Sequence, residues 1–345
     1  MSLRDVITGR EARSYLMAIV MAFIGALVLM ALAGTNPFSG IYLLIAGALG
    51  NVFGLSETLV KLTPILLASL GCVIAFKAKV WNIGAEGQLY IGALTTAWVG
   101  TMSWVPPGLG LPLVIIASFV VAGSYALIAA VLKVKRGVNE VISTIMMNYI
   151  AYWVAHYFIH WPPLRDPNQP NPQTLPILPG SSLPILISGT RLHSGILIAV
   201  VATVLVYVLL TKTKLGYEIK ITGSNPSAAT YGGIKVWRVV LVAMFLSGGL
   251  AGLAGMGEVA GLHGYLLDDI SPSYGYIAAL VALFGRLNVF GVFLGALFVS
   301  ILFNGADIAQ ISLYLPKEIA DVIVSIMVLL VISREIFLKR GVPKR

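Results

Sequence analysis

The apolar residues of this chain are grouped in long runs and do not alternate with polar residues. A helix needs about 20 apolar residues to cross a bilayer. About ten runs meet or approach that length, at residues 14–33, 58–76, 85–102, 110–132, 138–160, 193–211, 236–257, 271–285, 289–306 and 319–337. The runs are too long for barrel strands, and lipid offers no partner to open backbone groups. The pattern predicts an all-α integral membrane protein with about ten transmembrane helices in a single domain over residues 1–345.

Composition agrees and excludes several classes of protein. Hydrophobic residues make up 58% of the chain and charged residues 11%, against about 25% charged residues in soluble domains. An ordinary soluble enzyme, a disordered chain and a nucleic-acid-binding protein are therefore excluded. The single cysteine, Cys72, lies in an apolar run, so no intrachain disulfide forms and a small buried side chain is expected.

The basic residues predict the orientation of the spans. With a cytoplasmic N-terminus and alternating spans, all but four of the 23 Lys and Arg residues fall on the cytoplasmic side. The exceptions are Lys61, Arg165, Arg191 and Lys317. Cytoplasmic loops are typically enriched in Lys and Arg. Because one missed or additional span would destroy this separation, both termini are predicted to be cytoplasmic.

Three connections are long enough to carry structure of their own. The external stretch 34–57 contains an apolar run, 41–49, that is too short to span and is expected to form an interfacial helix. The external stretch 161–192 is dense in proline, which favours an extended loop on the surface. The longest cytoplasmic loop covers residues 212–235.

Glycine spacing indicates close helix packing. Three pairs lie four residues apart: Gly248 and Gly252, Gly257 and Gly261, and Gly291 and Gly295. Such spacing lets another helix approach closely, within the chain or in a second subunit. Two glycine segments that each carry a glutamate, 83–87 and 255–261, lie one in each half, a pattern that duplicated five-helix halves would produce.

Catalytic and metal-binding constellations are not apparent. The four histidines have no metal-ligand spacing with a carboxylate or cysteine, so no metal site and no catalytic residue is predicted. A Walker A loop requires Gly-Lys followed by Ser or Thr, and Gly-Lys occurs nowhere in the chain. If this protein is driven by ATP, the ATPase is another subunit and this chain is not an enzyme.

Polar residues near the spans are candidates for a translocation pathway, because they are costly in hydrocarbon. The candidates are Trp81, Asn82, Glu86, Gln88, Asn139, Asn148 and Tyr149. For Glu86 and Glu140 a structural role is the alternative, since a carboxylate in a first helical turn interacts well with the helix dipole. A proton relay is a further alternative.

The loop 212–235 predicts a short exposed helix. Asn225 or Ser224 can cap it, Pro226 suits its first turn, and Gly232-Gly233 can end it. A small helix exposed to the cytoplasm is suited to docking in a groove of a partner. A solvated connector is the alternative.

Several of these segments resemble one known family. They are AFKAKVWNIGAEGQLYIGA at 75–93, RGVNEVISTIMMNYIA at 136–151, the RLHSG end of 179–195, GSNPSAATYGGI at 223–234 and SPSYGYIAALVALFGRLNVFG at 271–291. The chain resembles membrane permease subunits of binding-protein-dependent ABC importers, in the branched-chain amino acid/ribose permease superfamily, and is most similar to nucleoside and simple-sugar permeases. Val289 stands where members often have proline.

The resemblance implies partners and a place in the cell. Such importers combine two permease subunits, here expected to be distinct paralogues, with two ATPase subunits and an extracytoplasmic binding protein, in a prokaryotic cell membrane. ATP and Mg²⁺ would bind the ATPases, and this chain would need no cofactor. The coupling residues toward the ATPase would be Gly223, Ser224, Asn225, Pro226, Ala228, Ala229, Tyr231, Gly232 and Ile234.

Two other functions stay open. A branched-chain amino acid permease would need groups for both a carboxylate and an ammonium, whereas Trp81, Asn82 and Gln88 offer aromatic and amide groups. A proton-coupled secondary transporter would need no ATPase, but no Asp or Glu lies clearly in the middle of a span.

Overall fold

A computed structural model describes residues 20–314, apart from 22, 29, 32, 33 and 107, together with 322, 325 and 326. Within this part of the chain all regular structure is helical, and two isolated β-bridges, Arg165 with Thr174 and Ile185 with His193, are the only strand-like pairings. Half of the predicted span 14–33 is described, at residues 20, 21, 23–28, 30 and 31, and these residues are helical. The predicted span 319–337 lies outside the described residues except for 322, 325 and 326.

The described helices follow the predicted runs. They are α1 (Pro37–Leu49), α2 (Val52–Lys77), α3 (Ala85–Gly100), α4 (Gly110–Arg136), α5 (Glu140–His160), α6 (Gly195–Lys212), α7 (Lys214–Ser224), α8 (Pro226–Tyr231), α9 (Val236–Gly257), α10 (Tyr274–Phe284) and α11 (Val289–Leu313). A π-helical segment, Glu258–His263, continues α9. Five of the described helices are long and apolar enough to cross a membrane: α2, α4, α6, α9 with its π-helical segment, and α11.

The short apolar run after the first span forms a helix, as predicted, but it begins earlier than the run itself. Asn36 caps α1 by accepting hydrogen bonds from the backbone N–H groups of Phe38 and Ser39, at 3.0 and 3.4 Å. Pro37 occupies the first turn, where its missing N–H costs nothing. The cap therefore places the start of α1 four residues before the run 41–49.

The described residues divide into two compact units. The first contains residues up to Lys61 and from Leu297 onward, and polar groups tie its helices together. The Asn304 amide of α11 donates to the Gly54 carbonyl at 2.7 Å and to the Thr58 hydroxyl at 2.9 Å, both in α2. The ammonium group of Lys61 pairs with the Asp307 carboxylate.

The second unit, Leu62–Ala296, is built around the glycine-rich helix α9. A Cβ atom on Gly252 would lie 2.4 Å from the Cβ atom of Ala122 in α4, and one on Gly92 of α3 would lie 2.2 Å from the Gly252 carbonyl oxygen. No side chain fits at such distances. The predicted close packing at Gly248 and Gly252 is thus confirmed, and its partner helix is in the same chain.

The proline-rich stretch 161–192 is irregular, as predicted, but it is not simply laid on the surface. Backbone N–H groups of Thr174, Ile177 and Leu183 donate to carbonyl groups of residues 266, 264 and 260, at 3.0, 2.8 and 2.7 Å. The side chains of Ile177 and Leu183 are buried. Because proline prevents helix formation here, these three N–H groups pair with residues that follow α9, and this part of the loop packs into the interior of the unit.

Candidate functional site

The non-helical segment between α2 and α3 lies in a network of buried hydrogen bonds between polar side chains. Asn82 is fully buried. Its amide nitrogen donates to the Gln88 side-chain oxygen at 2.9 Å and to the Ser247 hydroxyl of α9 at 2.8 Å. The Gln88 amide donates back to the Asn82 oxygen at 3.0 Å. This reciprocal pair fixes the start of α3 against α9.

Asn148 holds the same segment from the side of α5. Its amide oxygen accepts a hydrogen bond from the Gly87 N–H group at 2.8 Å, and its amide nitrogen donates to the Ile83 carbonyl at 3.0 Å. The same nitrogen donates to the Tyr276 hydroxyl of α10 at 3.1 Å. Asn148 therefore joins α3, α5 and α10 at one point.

Glu86 lies in the first turn of α3, as the structural alternative predicts, and its carboxylate also meets the N-terminus of a second helix. Its carboxylate accepts a hydrogen bond from the Gly275 N–H group in the first turn of α10, at 2.6 Å. Exposed N–H groups and the helix dipole favour a carboxylate there. A Cβ atom on Gly275 would lie 2.1 Å from the Glu86 nitrogen, so only glycine permits this approach.

The seven pathway candidates thus fall into two groups. Asn82, Glu86, Gln88 and Asn148 are buried, and each has a hydrogen-bond partner within the chain. Trp81 and Tyr149 are 43% and 58% exposed, and Asn139 is an exposed residue that caps α5. In this conformation the first group links helices through hydrogen bonds, and the second lies on the surface of the chain. Sequence reasoning missed two further members of this network, the buried Ser247 and the partly exposed Tyr276.

Glu140 has a structural role, which is one of the alternatives that the sequence leaves open for it. Its carboxylate pairs with the Lys133 ammonium at 2.5 Å and accepts a hydrogen bond from the Trp81 N–H group at 3.4 Å. It therefore closes the turn between α4 and α5, which Gly137 makes possible with a positive φ of 66°.

The loop 212–235 contains the short helix that the sequence predicts. Asn225 caps α8 by accepting a hydrogen bond from the Ala228 N–H group at 3.1 Å, and Pro226 is the first helical residue. The helix ends at Tyr231, with Gly232 as its C-cap and Gly233 at a φ of +78°. Capping by Asn225 and termination by the two glycines are confirmed.

The coupling candidates differ in what they can offer to a partner. Tyr231 is 95% exposed. The other exposed candidates are Ser224, Asn225, Pro226, Ala228 and Gly232. Ala229 is fully buried, Ile234 is half-buried, and a Cβ atom on Gly223 would lie 1.9 Å from the Lys77 carbonyl oxygen. Gly223 and Ala229 therefore hold the segment on its own chain, while the remaining face points outward.

Two histidines come together on a carboxylate, which the sequence did not lead us to expect. His156 and His160 of α5 both contact Asp268, His156 through Nδ1 and His160 through Nε2, each at 2.8 Å. Their spacing of four residues was a signal that could have been read from the sequence. Asp268 is more than one hundred residues away, so nothing local pointed to it.

His193 lies just before α6, outside the spanning helix, and is buried. Its Nδ1 atom accepts a hydrogen bond from the Gly195 N–H group at 3.1 Å, which requires an unprotonated nitrogen. Burial lowers the pKa of His193 from its ordinary value of 6.5 to about 4. The ring is therefore neutral at physiological pH.

Comparison with known proteins finds relatives along most of the chain. A family model described as "Branched-chain amino acid transport system / permease component" matches residues 54–332. A glucose ABC transporter permease protein of Haloferax volcanii is 34% identical over 327 residues, which cover 91% of this chain and 85% of the relative. A guanosine ABC transporter permease protein of Bacillus subtilis is 34% identical over 324 residues, which cover 92% of each.

A nucleoside ABC transporter permease protein of Lactococcus lactis is 33% identical over 325 residues, which cover 91% of this chain and 88% of the relative. No solved structure matches the chain. The residues that the family model matches, 54–332, include both the polar segment at the start of α3 and the loop 212–235.

Proposed function

We propose that this chain forms the membrane passage of an ATP-driven importer for nucleosides or simple sugars. The premise is its family: the chain belongs to the permease components of branched-chain amino acid transport systems. One observation carries the choice of solute. Three relatives that match more than 90% of the chain at 33–34% identity are permeases for glucose, guanosine and nucleosides.

The proposed architecture has ten spans in the cell membrane of a prokaryote, with both termini in the cytoplasm. It is supported by the separation of basic residues and by eight predicted runs that each overlap a helix of the described residues. Duplicated five-helix halves remain part of this proposal. The two glutamates that suggested them, Glu86 and Glu258, are both buried beside glycines at a helix end.

The proposed energy source is a pair of separate ATPase subunits that bind ATP and Mg²⁺, since this chain has no Gly-Lys dipeptide for a Walker A loop. The other partners would be a second, distinct permease and an extracytoplasmic binding protein. A solute that binds one conformation can shift the population only by its differential affinity. The work of transport must therefore enter from the ATPases.

The outward face of α8 is the proposed contact with an ATPase. The helix buries Ala229 and exposes Tyr231 and Ala228, and Gly223 packs the end of the preceding helix α7 closely against the Lys77 carbonyl oxygen. Closure of the ATPases around ATP would pull on this short, capped helix and rock the spans between outward-open and inward-open states. Trp81, Tyr149 and Asn139 are the proposed solute contacts, and the buried amides are positioning residues.

A branched-chain amino acid permease is the second candidate function, because the matching family model carries that description. The two candidates are distinguished by ATP hydrolysis of the assembled importer, with its ATPase, second permease and binding protein. Guanosine, glucose and leucine are the three probes. We expect guanosine or glucose to stimulate hydrolysis and leucine to have no effect. Stimulation by leucine alone would overturn the proposed solute class.

A further inference from the structure

The last two turns of α5 place two imidazoles on one carboxylate. His156 and His160 are four residues apart, so they share one face of the helix. Their ring centroids lie 4.0 Å apart. Asp268, in the segment between the π-helical segment and α10, reaches both rings with its two carboxylate oxygens, at 2.8 Å each.

We propose that His156, His160 and Asp268 form a binding site for a divalent transition-metal cation of the Zn²⁺ class. The three ligand atoms lie within 4.8 Å of one another. Zinc binds histidine nitrogen and carboxylate oxygen at about 2.0–2.2 Å, so small rotations of the three side chains would bring all three atoms onto one ion. Two nitrogen ligands favour zinc, copper or nickel over calcium or magnesium, which prefer oxygen.

The surroundings hold the ligands in place. The Asp268 backbone carbonyl accepts a hydrogen bond from the Tyr90 hydroxyl at 2.9 Å, which fixes the acidic residue against α3. The ring of Tyr152 stacks at 6.1 Å on the His156 ring, and Trp153 meets the same ring edge-on at 5.1 Å. The three ligand side chains are 28–31% exposed, so they are not sealed inside the chain.

Binding needs no net loss of protons from neutral imidazoles. The two hydrogen bonds to the Asp268 carboxylate place the protons on His156 Nδ1 and His160 Nε2. On binding an ion, each neutral ring would carry its proton on the other nitrogen and present to the ion the nitrogen that now faces Asp268. The ion would replace the two hydrogen bonds to the carboxylate, which would supply one of its oxygens as the third ligand. A bound ion would join the end of α5 to the segment that leads into α10.

The test is zinc binding by the purified full chain in detergent, stripped of metal with a chelator and titrated with Zn²⁺ in a calorimeter. We expect one Zn²⁺ per chain. Each of His160→Gln and Asp268→Asn removes one ligand and should weaken binding at least about tenfold. The control is His263→Gln, because His263 lies in the π-helical segment and outside the cluster; its zinc affinity should equal that of the wild type.

The absence of saturable Zn²⁺ binding would overturn the site, and so would unchanged affinity in both ligand variants. If a ligand variant elutes as an aggregate in size-exclusion chromatography, Co²⁺ bound to the wild type decides instead. The site is supported if bound Co²⁺ gives visible ligand-field absorption that disappears when Zn²⁺ displaces the Co²⁺. The variant His263→Gln should show the same absorption. A Co²⁺ spectrum identical to that of the free ion contradicts it.

Discussion

Glycines on α9 differ sharply in the room that they leave for a side chain. A Cβ atom on Gly255 would lie 2.0 Å from the Leu89 carbonyl oxygen of α3, whereas one on Gly257 would lie 3.8 Å from its nearest neighbour, the Thr63 methyl group. The first distance forces backbone atoms apart, and the second is ordinary van der Waals contact. Because the two glycines lie two residues apart on one helix, substitution of Gly257 is a matched control for substitution of Gly255.

We predict that Gly255→Ala destabilises the chain by at least about 1–3 kcal/mol, the usual cost of overpacking, and lowers the midpoint of thermal unfolding in detergent. Gly257→Ala should leave the midpoint near that of the wild type. Equal midpoints for the two variants would contradict the close approach of α3 to α9.

Asn148 and Tyr149 are adjacent but differ in environment, since Asn148 is buried with three hydrogen bonds and Tyr149 is exposed. Asn148→Leu would leave the Gly87 N–H and the Ile83 carbonyl without partners. Each such buried group costs about 1–3 kcal/mol. We expect a clear loss of thermal stability in Asn148→Leu and little change in Tyr149→Leu. Equal stability of the two variants would show that Asn148 does not position α3.

Acid should destabilise the fold through His193. Its pKa is about 4 when folded, below the ordinary 6.5. The unfolded chain therefore takes up a proton first as the pH falls. The contribution of His193 is complete above pH 6.5 and is lost progressively toward pH 4, at about 1.4 kcal/mol per unit. Thermal midpoints measured across this range should fall less steeply in His193→Gln than in the wild type; parallel slopes would contradict this assignment.

At the scale of elements, α8 is the part of the chain that is best placed to meet a partner. We expect Tyr231→Ser to reduce ATP-dependent uptake by the assembled importer without changing the thermal midpoint, because Tyr231 is 95% exposed. The matched control is Tyr314→Ser, since Tyr314 is 94% exposed at the end of α11, which is predicted to be external. Loss of uptake in both variants, or in neither, would argue against α8 as the contact.

Local chemistry made many helix ends predictable. Asn225, Pro226 and Gly232-Gly233 define α8 because capping and chain reversal depend on neighbouring residues. The start of α1 was missed because Asn36 precedes the apolar run rather than lying beside it. The partners of Glu86 and of the two histidines could not be predicted, since Gly275 and Asp268 are distant in the sequence. Only the folded bundle brings them together.

At the scale of the whole molecule, the orientation in the membrane can be tested with one background mutation. Cys72 is the only cysteine and is buried, so Cys72→Ala gives a cysteine-free chain. We expect Ser227→Cys, in α8, to resist a membrane-impermeant maleimide applied to intact cells and to react after lysis. Ser188→Cys, exposed in the proline-rich loop, should react in intact cells. The opposite labelling pattern would reverse the predicted orientation.

The central claim is that this chain is a passage driven by other subunits. The direct measurement is solute accumulation in proteoliposomes that contain either the complete importer or this chain alone, with ATP supplied to the ATPase side. We predict that the complete importer concentrates guanosine or glucose only when ATP is hydrolysed, including after an uncoupler has removed any proton gradient. The chain alone should concentrate neither solute. Accumulation by the chain alone, or accumulation that the uncoupler abolishes, would contradict the account.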